Sequence, residues 1–187
     1  MLLTQAEVTS ASKQQVIIHL FTGGTSVTDQ PTLDECGATY PSESKRDARI
    51  QVGYVTVDAT GQQTQSASNE VVRYELGGTD QAYRELATAI RTCPPRVPLG
   101  KGTVVSHLRV LPVDPQLVTR QRTVVAQITS KGQPIWFAAT FLFDGDLFDG
   151  VYTYDASKSV AIRVDRALAR TANQRLRAAL ASEGTAT

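Results

Sequence analysis

The side chains with the most capacity for chemistry share one face of a predicted three-stranded sheet formed by residues 122–154. They combine an indole ring, a carboxylate, a carboxamide and two hydroxyl groups. These residues are Gln127, Trp136, Thr140, Asp149 and Thr153. The small neighbours Ala138 and Thr140 leave a hollow around the large amphipathic ring of Trp136, which is a common arrangement in ligand-binding sites. We therefore expect this face to form a cleft wall, with Trp136 in stacking or apolar contact with a ligand and Asp149 as its polar anchor.

Two turns determine which residues share that face. Lys131-Gly132 and Asp144-Gly145 are typical centres of two-residue hairpin turns, because glycine adopts positive φ at little cost. Side chains alternate across a strand, so each turn also fixes a pairing. The predicted pairs are Ile128 with Ile135 in the first hairpin, and Phe141 with Phe148 and Phe137 with Tyr152 in the second. The aromatic residues then lie on the opposite face, where we expect the helices to pack.

Metal and catalytic sites have weaker support. The acidic run from Asp144 to Gly150 lacks the residues that an EF-hand loop needs at positions five, six and twelve, so we interpret it as a hairpin turn. No serine, cysteine or histidine lies in a recognisable catalytic motif. We predict a protein that is not an enzyme and has no metal or cofactor. The alternatives are a small envelope hydrolase or isomerase on a cone-like α+β fold, with Asp149 or His107 as acid–base, and a protein-interaction module.

The chain contains two cysteines, Cys36 and Cys93. Cys93 ends a predicted helix on its buried stripe, directly before Pro94-Pro95, whereas Cys36 lies in a turn-rich segment. One interpretation is a long-range disulfide bond, which would persist only in an oxidising compartment. The other is a buried thiol that packs as a small hydrophobic side chain.

Length and charge limit the remaining possibilities. A chain of 187 residues suits a single domain, 1–187, and we expect only its last few residues to be disordered. The formal net charge is +1, from 19 basic and 18 acidic residues. Such a balance provides no field that would attract nucleic acid or an anionic membrane, so we predict no nucleic-acid partner. No apolar run approaches the roughly 20 residues of a membrane span.

The remaining elements complete an α+β domain. Alternating apolar residues predict strands near 50–57, 70–76 and 104–111, and helical periodicity predicts helices before Cys93 and over 160–181. Thr4 and Glu7 have the spacing of a capping box for a short first helix. We expect an antiparallel sheet of about six strands with two main helices packed on one face.

The order of several motifs resembles a known family. These motifs are Leu33-x-x-Cys36-Gly37, Tyr40-Pro41-Ser42-Glu43 with Arg46 and Arg49, Ala89-x-x-x-Cys93-Pro94, and Phe143-x-Gly145-Asp146-Leu147 before a long helix rich in Ala and Arg. They resemble secreted sensor-like domains of actinobacteria, of the mycobacterial type. That family includes the extracellular domains of receptor serine/threonine kinases and related envelope lipoproteins.

The resemblance implies a secreted or cell-envelope domain with a cleft for an unidentified ligand. It also implies that Cys36 and Cys93 are bonded. The partner would be a small molecule or an envelope component, and contact with the membrane would come only through a lipid anchor upstream. The arginines Arg46 and Arg49 belong either to a solvated turn or to a site for an anionic group.

Overall fold

The structure is a computed structural model that describes residues 1–23, 31–57, 60, 62–100, 102–118 and 120–183, without the side chains of residues 17–23 and 183. The predicted disorder of the last few residues concerns a segment outside this range. The helices are α1 (Gln5–Ser12), α2 (Gly78–Arg91) and α3 (Lys158–Glu183). The strands are β1 (Val16–Gly23), β2 (Arg46–Val57), β3 (Gln63–Tyr74), β4 (Arg96–Gly100), β5 (Thr103–Val110), β6 (Arg120–Ser130), β7 (Gln133–Asp144) and β8 (Leu147–Asp155).

The described strands form one antiparallel sheet in the order β1-β2-β3-β8-β7-β6-β5-β4. The predicted α+β class is confirmed, with eight strands within the described residues in place of about six. The two additional strands are the edges of the sheet. β4 contains Pro98, which lacks a backbone donor and is tolerated at an edge. The predicted capping box of α1 is also present, between Thr4 and Glu7.

The first hairpin has the predicted register, with Ile128 opposite Ile135. The second differs by two residues, because Phe148 pairs with Phe143 and Gly150 pairs with Phe141. Its loop is Gly145-Asp146, between the paired residues Asp144 and Leu147. Gly145 has a φ of 57°, and glycine at the first central position is typical of a type II′ turn. A slip of two residues leaves every side chain on its predicted face.

The two main helices lie on opposite faces of the sheet, so the prediction that both pack on one face is wrong. α3 and α1 share a buried cluster with Leu142 and Val151. α2 shares a second cluster with the aromatic residues Phe141, Phe143 and Phe148. Neighbouring residues of β7 and β8 therefore project bulky apolar groups in both directions, and each face requires its own cover.

A disulfide bond joins Cys36 to Cys93, with their Cα atoms 5.1 Å apart. It decides between the two interpretations of the cysteines in favour of the bonded pair. Cys36 lies in the short 3-10 turn Glu35–Gly37, and Cys93 follows the end of α2. The bond therefore ties the segment before β2 to α2.

We predict that replacing both cysteines, Cys36→Ser with Cys93→Ser, lowers the free energy of unfolding by about 4 kcal/mol. The bond closes a loop with a sequence separation of 57, and the chain entropy of the unfolded state scales with that length. Chemical denaturation of the oxidised protein and the double variant measures the difference. An unchanged denaturation midpoint would contradict the prediction.

Candidate functional site

The predicted cleft wall is an interface with α3. Thr140, Asp149 and Thr153 are at most 1% exposed. The Thr140 hydroxyl donates to Oδ2 of Asp165 in α3 at 2.6 Å, and the Thr153 hydroxyl donates to the carbonyl of Ala161 at 3.0 Å. The prediction that these three residues face an open cleft is therefore wrong, because α3 occupies that space.

Trp136 and Gln127 lie on the same face at the end of the β6–β7 hairpin, as register partners. Both are half-buried. The ammonium group of Lys158, the first residue of α3, lies 4.9 Å from the centre of the Trp136 ring, a distance typical of a cation–π interaction. Contact between a ligand and these two residues stays a prediction.

Two carboxyl groups are enclosed between the sheet and the helices. Asp149 accepts a hydrogen bond from the Asn69 amide at 2.5 Å, and Asp165 accepts the bond from Thr140. The second oxygen of each lacks a partner among the described residues. Burial raises the pKa of Asp149 and of Asp165 to about 7. Asp149, an acid–base candidate of the enzyme alternative, is fully buried.

A polar pocket of about 260 Å³ lies on the opposite, aromatic face of the sheet. We call it the acidic pocket. Its lining consists of Pro31, Thr32, Asp34, Arg49, Gln51, Ser68, Glu70, Tyr152 and Tyr154.

The alternation of side chains along the strands explains which residues form most of this lining. Each of three neighbouring strands contributes residues two apart: Arg49 and Gln51 from β2, Ser68 and Glu70 from β3, and Tyr152 and Tyr154 from β8. The register brings Gln51 opposite Glu70 and Ser68 opposite Tyr152. Residues two apart project from the same face, so these strands form one polar floor.

The segment that contains Thr32 and Asp34 forms the remaining wall of the acidic pocket. The Glu43 carboxylate accepts hydrogen bonds from the backbone N–H groups of Thr32 and Leu33, at 2.8 and 3.1 Å. Leu33 is 1% exposed and belongs to the core beneath α2. The disulfide at Cys36 holds the same segment two residues after Asp34. The wall is therefore fixed from both ends.

An ion pair occupies the floor of the acidic pocket. Nε of Arg49 donates to Oε1 of Glu70 at 2.5 Å, and the Thr32 hydroxyl donates to the same oxygen at 2.7 Å. Burial raises the pKa of Glu70, against the opposing effect of the Arg49 guanidinium. Arg49 was interpreted either as part of a solvated turn or as part of a site for an anionic group. In the structure it pairs with an anionic group, and that group is the Glu70 carboxylate of the chain itself. Arg46 likewise lies 3.3 Å from Glu43.

Tyr152 has a buried hydroxyl group without a hydrogen-bond partner among the described residues. Its side chain stacks on Phe137 and packs edge-on against Phe141. Burial, followed by the charges of Glu70, Glu35 and Asp34, raises the pKa of the Tyr152 phenol far above its ordinary value. The phenol therefore stays protonated.

Glu35 lies near the acidic pocket, and its side chain is buried. Burial, with the charge of Asp34 next, raises the pKa of Glu35 to about 8, so this carboxyl group holds its proton at neutral pH. Asp34 is exposed at the wall. The pocket thus combines an ion pair, an accessible carboxylate and a buried phenol without a partner among the described residues. Within the described ranges, no group of three His, Cys, Asp or Glu residues is suited to hold a metal ion.

Sequence reasoning missed this pocket. The pairing of β3 with β8 joins residues about 80 positions apart, such as Glu70 and Gly150, and no local pattern specifies it. One signal was present, because Tyr152 and Tyr154 carry polar groups on an otherwise apolar face. A buried phenol normally requires a partner for its hydroxyl.

No protein-family model matches the chain, and no curated protein matches it. Among solved structures, the crystal structure of the extracellular domain of PknH from Mycobacterium tuberculosis matches with a TM-score of 0.60 and 12% sequence identity. The match covers 92% of this chain and 93% of that chain. The chain has the fold of that domain. The resemblance to sensor-like domains is therefore confirmed for the fold, across nearly the whole chain. None of the helices in the described residues is long and apolar enough to cross a membrane.

The first prediction from this site concerns pH. We expect Asp165→Asn to raise the free energy of unfolding at pH 8. In the native protein the pKa of Asp165 is about 7, whereas an unfolded aspartate has a pKa of about 4. Native Asp165 retains a proton that the unfolded chain loses, so wild-type stability falls as pH rises through that interval. In the variant, the amide oxygen can still accept the hydrogen bond from the Thr140 hydroxyl, but the side chain has no proton that titrates in this range.

Urea denaturation at pH 4 and pH 8 measures this effect. The gain of Asp165→Asn over wild type should be largest at pH 8 and small at pH 4. Asp47→Asn is the control, because Asp47 forms an exposed pair with Arg73 and exposed pairs contribute little. Equal gains at both pH values would show that Asp165 is ionised in the native protein.

The second prediction concerns the ion pair. We expect Arg49→Met to lower the free energy of unfolding by about 3 kcal/mol, because it leaves the Glu70 carboxylate buried without its cation. The double variant Arg49→Met with Glu70→Gln should recover most of that loss. Arg73→Met, in the exposed pair with Asp47, is the matched control. A double variant as unstable as Arg49→Met alone would refute this assignment.

Proposed function

We propose that this protein is a non-enzymatic ligand-binding domain of sensor-like type that works outside the cytoplasmic membrane, secreted or in the cell envelope. Two observations support this proposal. The fold resembles the extracellular domain of PknH, and Cys36 is bonded to Cys93, which requires an oxidising compartment to persist. Its partner is a small molecule or an envelope component.

The acidic pocket is the ligand site in this proposal. The observation that carries it is the polar floor of this pocket, where Tyr152 is 8% exposed and its buried hydroxyl group has no partner among the described residues. A buried polar group without a partner costs about 1–3 kcal/mol, and a ligand that pairs with it removes that cost on binding. The same ligand would meet the exposed Asp34 carboxylate. A small polar molecule with an ammonium group or several hydroxyl groups fits these contacts.

We predict that Tyr152→Phe weakens ligand binding by about tenfold, the value of one lost hydrogen bond in a buried site. Its free energy of unfolding should stay equal or rise, since the variant removes an unpartnered buried group. Saturation-transfer NMR with a panel of amines, amino sugars and polyols identifies a binder, and calorimetry then compares the variants.

Tyr83→Phe is the matched control, because Tyr83 packs on Phe143 at α2 and is not part of the acidic pocket. It should bind the selected compound as wild type does. If no compound in the panel binds, or if Tyr152→Phe binds as tightly as wild type, the acidic pocket is not the ligand site.

A further inference from the structure

A β-bulge interrupts β5 where its pairing with β4 ends. Ser106 pairs with Gln127 of β6, and the next pair is Arg109 with Val125. Two residues of β5 therefore lie opposite one residue of β6, as in a bulge with one extra residue. The first of them, His107, has a φ of 56°, a backbone conformation that is uncommon for residues other than glycine. Bulges redirect side chains and are frequent next to active sites.

The bulge determines which face of the sheet carries Arg109. In a regular strand, residues three apart lie on opposite faces, so Arg109 would point away from the face of Ser106. The extra residue instead pairs Arg109 with Val125, two residues from Gln127, and register partners share a face. Arg96 of β4 pairs with Ser106 and lies on this face too. The bulge therefore brings two arginines of neighbouring strands to one face.

Arg96 and Arg109 line a pocket of about 450 Å³ at this corner of the sheet. We call it the arginine pocket. His107, the second acid–base candidate of the enzyme alternative, also lines it and is exposed. Pro95 and Leu108 contribute an apolar wall, and no acidic residue belongs to the lining among the described residues. The pocket thus combines positive charge with an apolar surface.

The two guanidinium groups of this pocket are available to a ligand. Neither Arg96 nor Arg109 has a hydrogen bond or an ion pair within the part of the chain that the structure describes. Six other arginines pair with a carboxylate. Each guanidinium presents five N–H donors in a planar fork, which matches the geometry of phosphate oxygens.

The surrounding segment concentrates positive charge near the arginine pocket. Residues 86–143 contain seven basic residues and one acidic residue, Asp114. The Asp114 carboxylate already accepts two hydrogen bonds from Arg170 of α3. The chain as a whole has a net charge of only +1, so its charges are distributed unevenly. A positive cleft of this kind raises the local concentration of anions.

We propose that the arginine pocket binds the phosphate group of an organic phosphate. Arg96 and Arg109 hold the phosphate oxygens, and Pro95 and Leu108 contact the apolar part of the ligand. A carboxylate has two oxygens, which one guanidinium fork occupies, whereas a phosphate monoester has three charged oxygens that serve two forks. No residue lines both this pocket and the acidic pocket, so the site is a second one and does not depend on the first.

The test titrates the ¹⁵N-labelled protein with phenyl phosphate at constant ionic strength and follows its signals by NMR. We expect saturable shifts at the backbone amides of His107 and Arg109 and at the Nε–H signals of Arg96 and Arg109. Benzoate has the same ring with a planar, singly charged group, and it should bind about tenfold more weakly. The proposal is overturned by benzoate binding as tight as that of phenyl phosphate, by shifts only at acidic-pocket residues such as Glu70, or by no shifts at millimolar phenyl phosphate.

Three variants sharpen this test. Arg96→Gln and Arg109→Gln should each weaken phenyl phosphate binding by about tenfold, the value of a lost hydrogen bond to a charged group. Both arginines are exposed, so the fold should tolerate the changes. Arg91→Gln is the matched control, since Arg91 is an exposed arginine at the end of α2 and outside the arginine pocket. Unchanged affinity in Arg109→Gln, or an equal loss in Arg91→Gln, would overturn the proposal.

A further comparison identifies the source of the phosphate group. Sedimentation with phosphatidylglycerol vesicles that is lost in the double variant Arg96→Gln with Arg109→Gln would assign it to a lipid headgroup. Binding of phenyl phosphate without binding of vesicles would assign it to a soluble organic phosphate. Vesicle binding that the double variant retains, with no binding of phenyl phosphate, would overturn the proposal.

One variant separates the arginine pocket from the acidic pocket. Tyr152→Phe alters the acidic pocket and should leave phenyl phosphate binding unchanged. The proposed function can therefore fail while the arginine pocket still binds phosphate, and the reverse outcome is equally distinguishable. A loss of phenyl phosphate binding in Tyr152→Phe as large as that in Arg109→Gln would overturn the assignment to the arginine pocket.

Discussion

The alternation of bulky apolar side chains along β7 and β8 is the constraint on which this fold depends. Phe141 and Phe143 point to one face, and Leu142 between them points to the other; all three are at most 1% exposed. A sheet with two apolar faces must be covered on both. α3 covers the face of Leu142, and α2 covers the face of the two phenylalanines.

The positions of the enclosed carboxyl groups and of the acidic pocket follow from how much of each sheet face is covered by its helix. α3 is 26 residues long and packs along β7 and β8, where it encloses the face that carries Thr140 and Asp149. α2 is 14 residues long and shares its core with the aromatic residues of the other face. The acidic pocket lies on that second face, over β2, β3 and β8, where the segment from Pro31 to Asp34 forms the wall.

Local sequence signals were sufficient for the fold class and for the side-chain faces. The turn glycines Gly132 and Gly145 located both hairpins. The predicted register of the second hairpin was wrong by two residues, but every side chain kept its predicted face because side chains alternate with a period of two. The position of Cys36 in a turn-rich segment, where a thiol has little reason to pack, favoured the disulfide that the structure contains. Each of these signals acts over a few neighbouring residues.

The remaining features depend on contacts between distant segments. A mixed face with Trp136 and Asp149 is compatible with an open cleft or with a helix that hydrogen-bonds to it, and the hydrogen bonds from Thr140 and Thr153 to α3 distinguish the two. The acidic pocket likewise requires the neighbours of β3, which are β2 and β8. Local periodicity records that a residue is buried but not which element covers it.

The most direct test of this account is a set of nuclear Overhauser effects in selectively methyl-labelled protein with protonated phenylalanine rings. The account predicts cross-peaks from methyl groups of α3, such as Leu168, to Leu142 and Val151, and from Leu86 of α2 to the rings of Phe141 and Phe148. Cross-peaks from α3 methyl groups to the Phe141 and Phe148 rings would contradict it, because both main helices would then lie on the aromatic face.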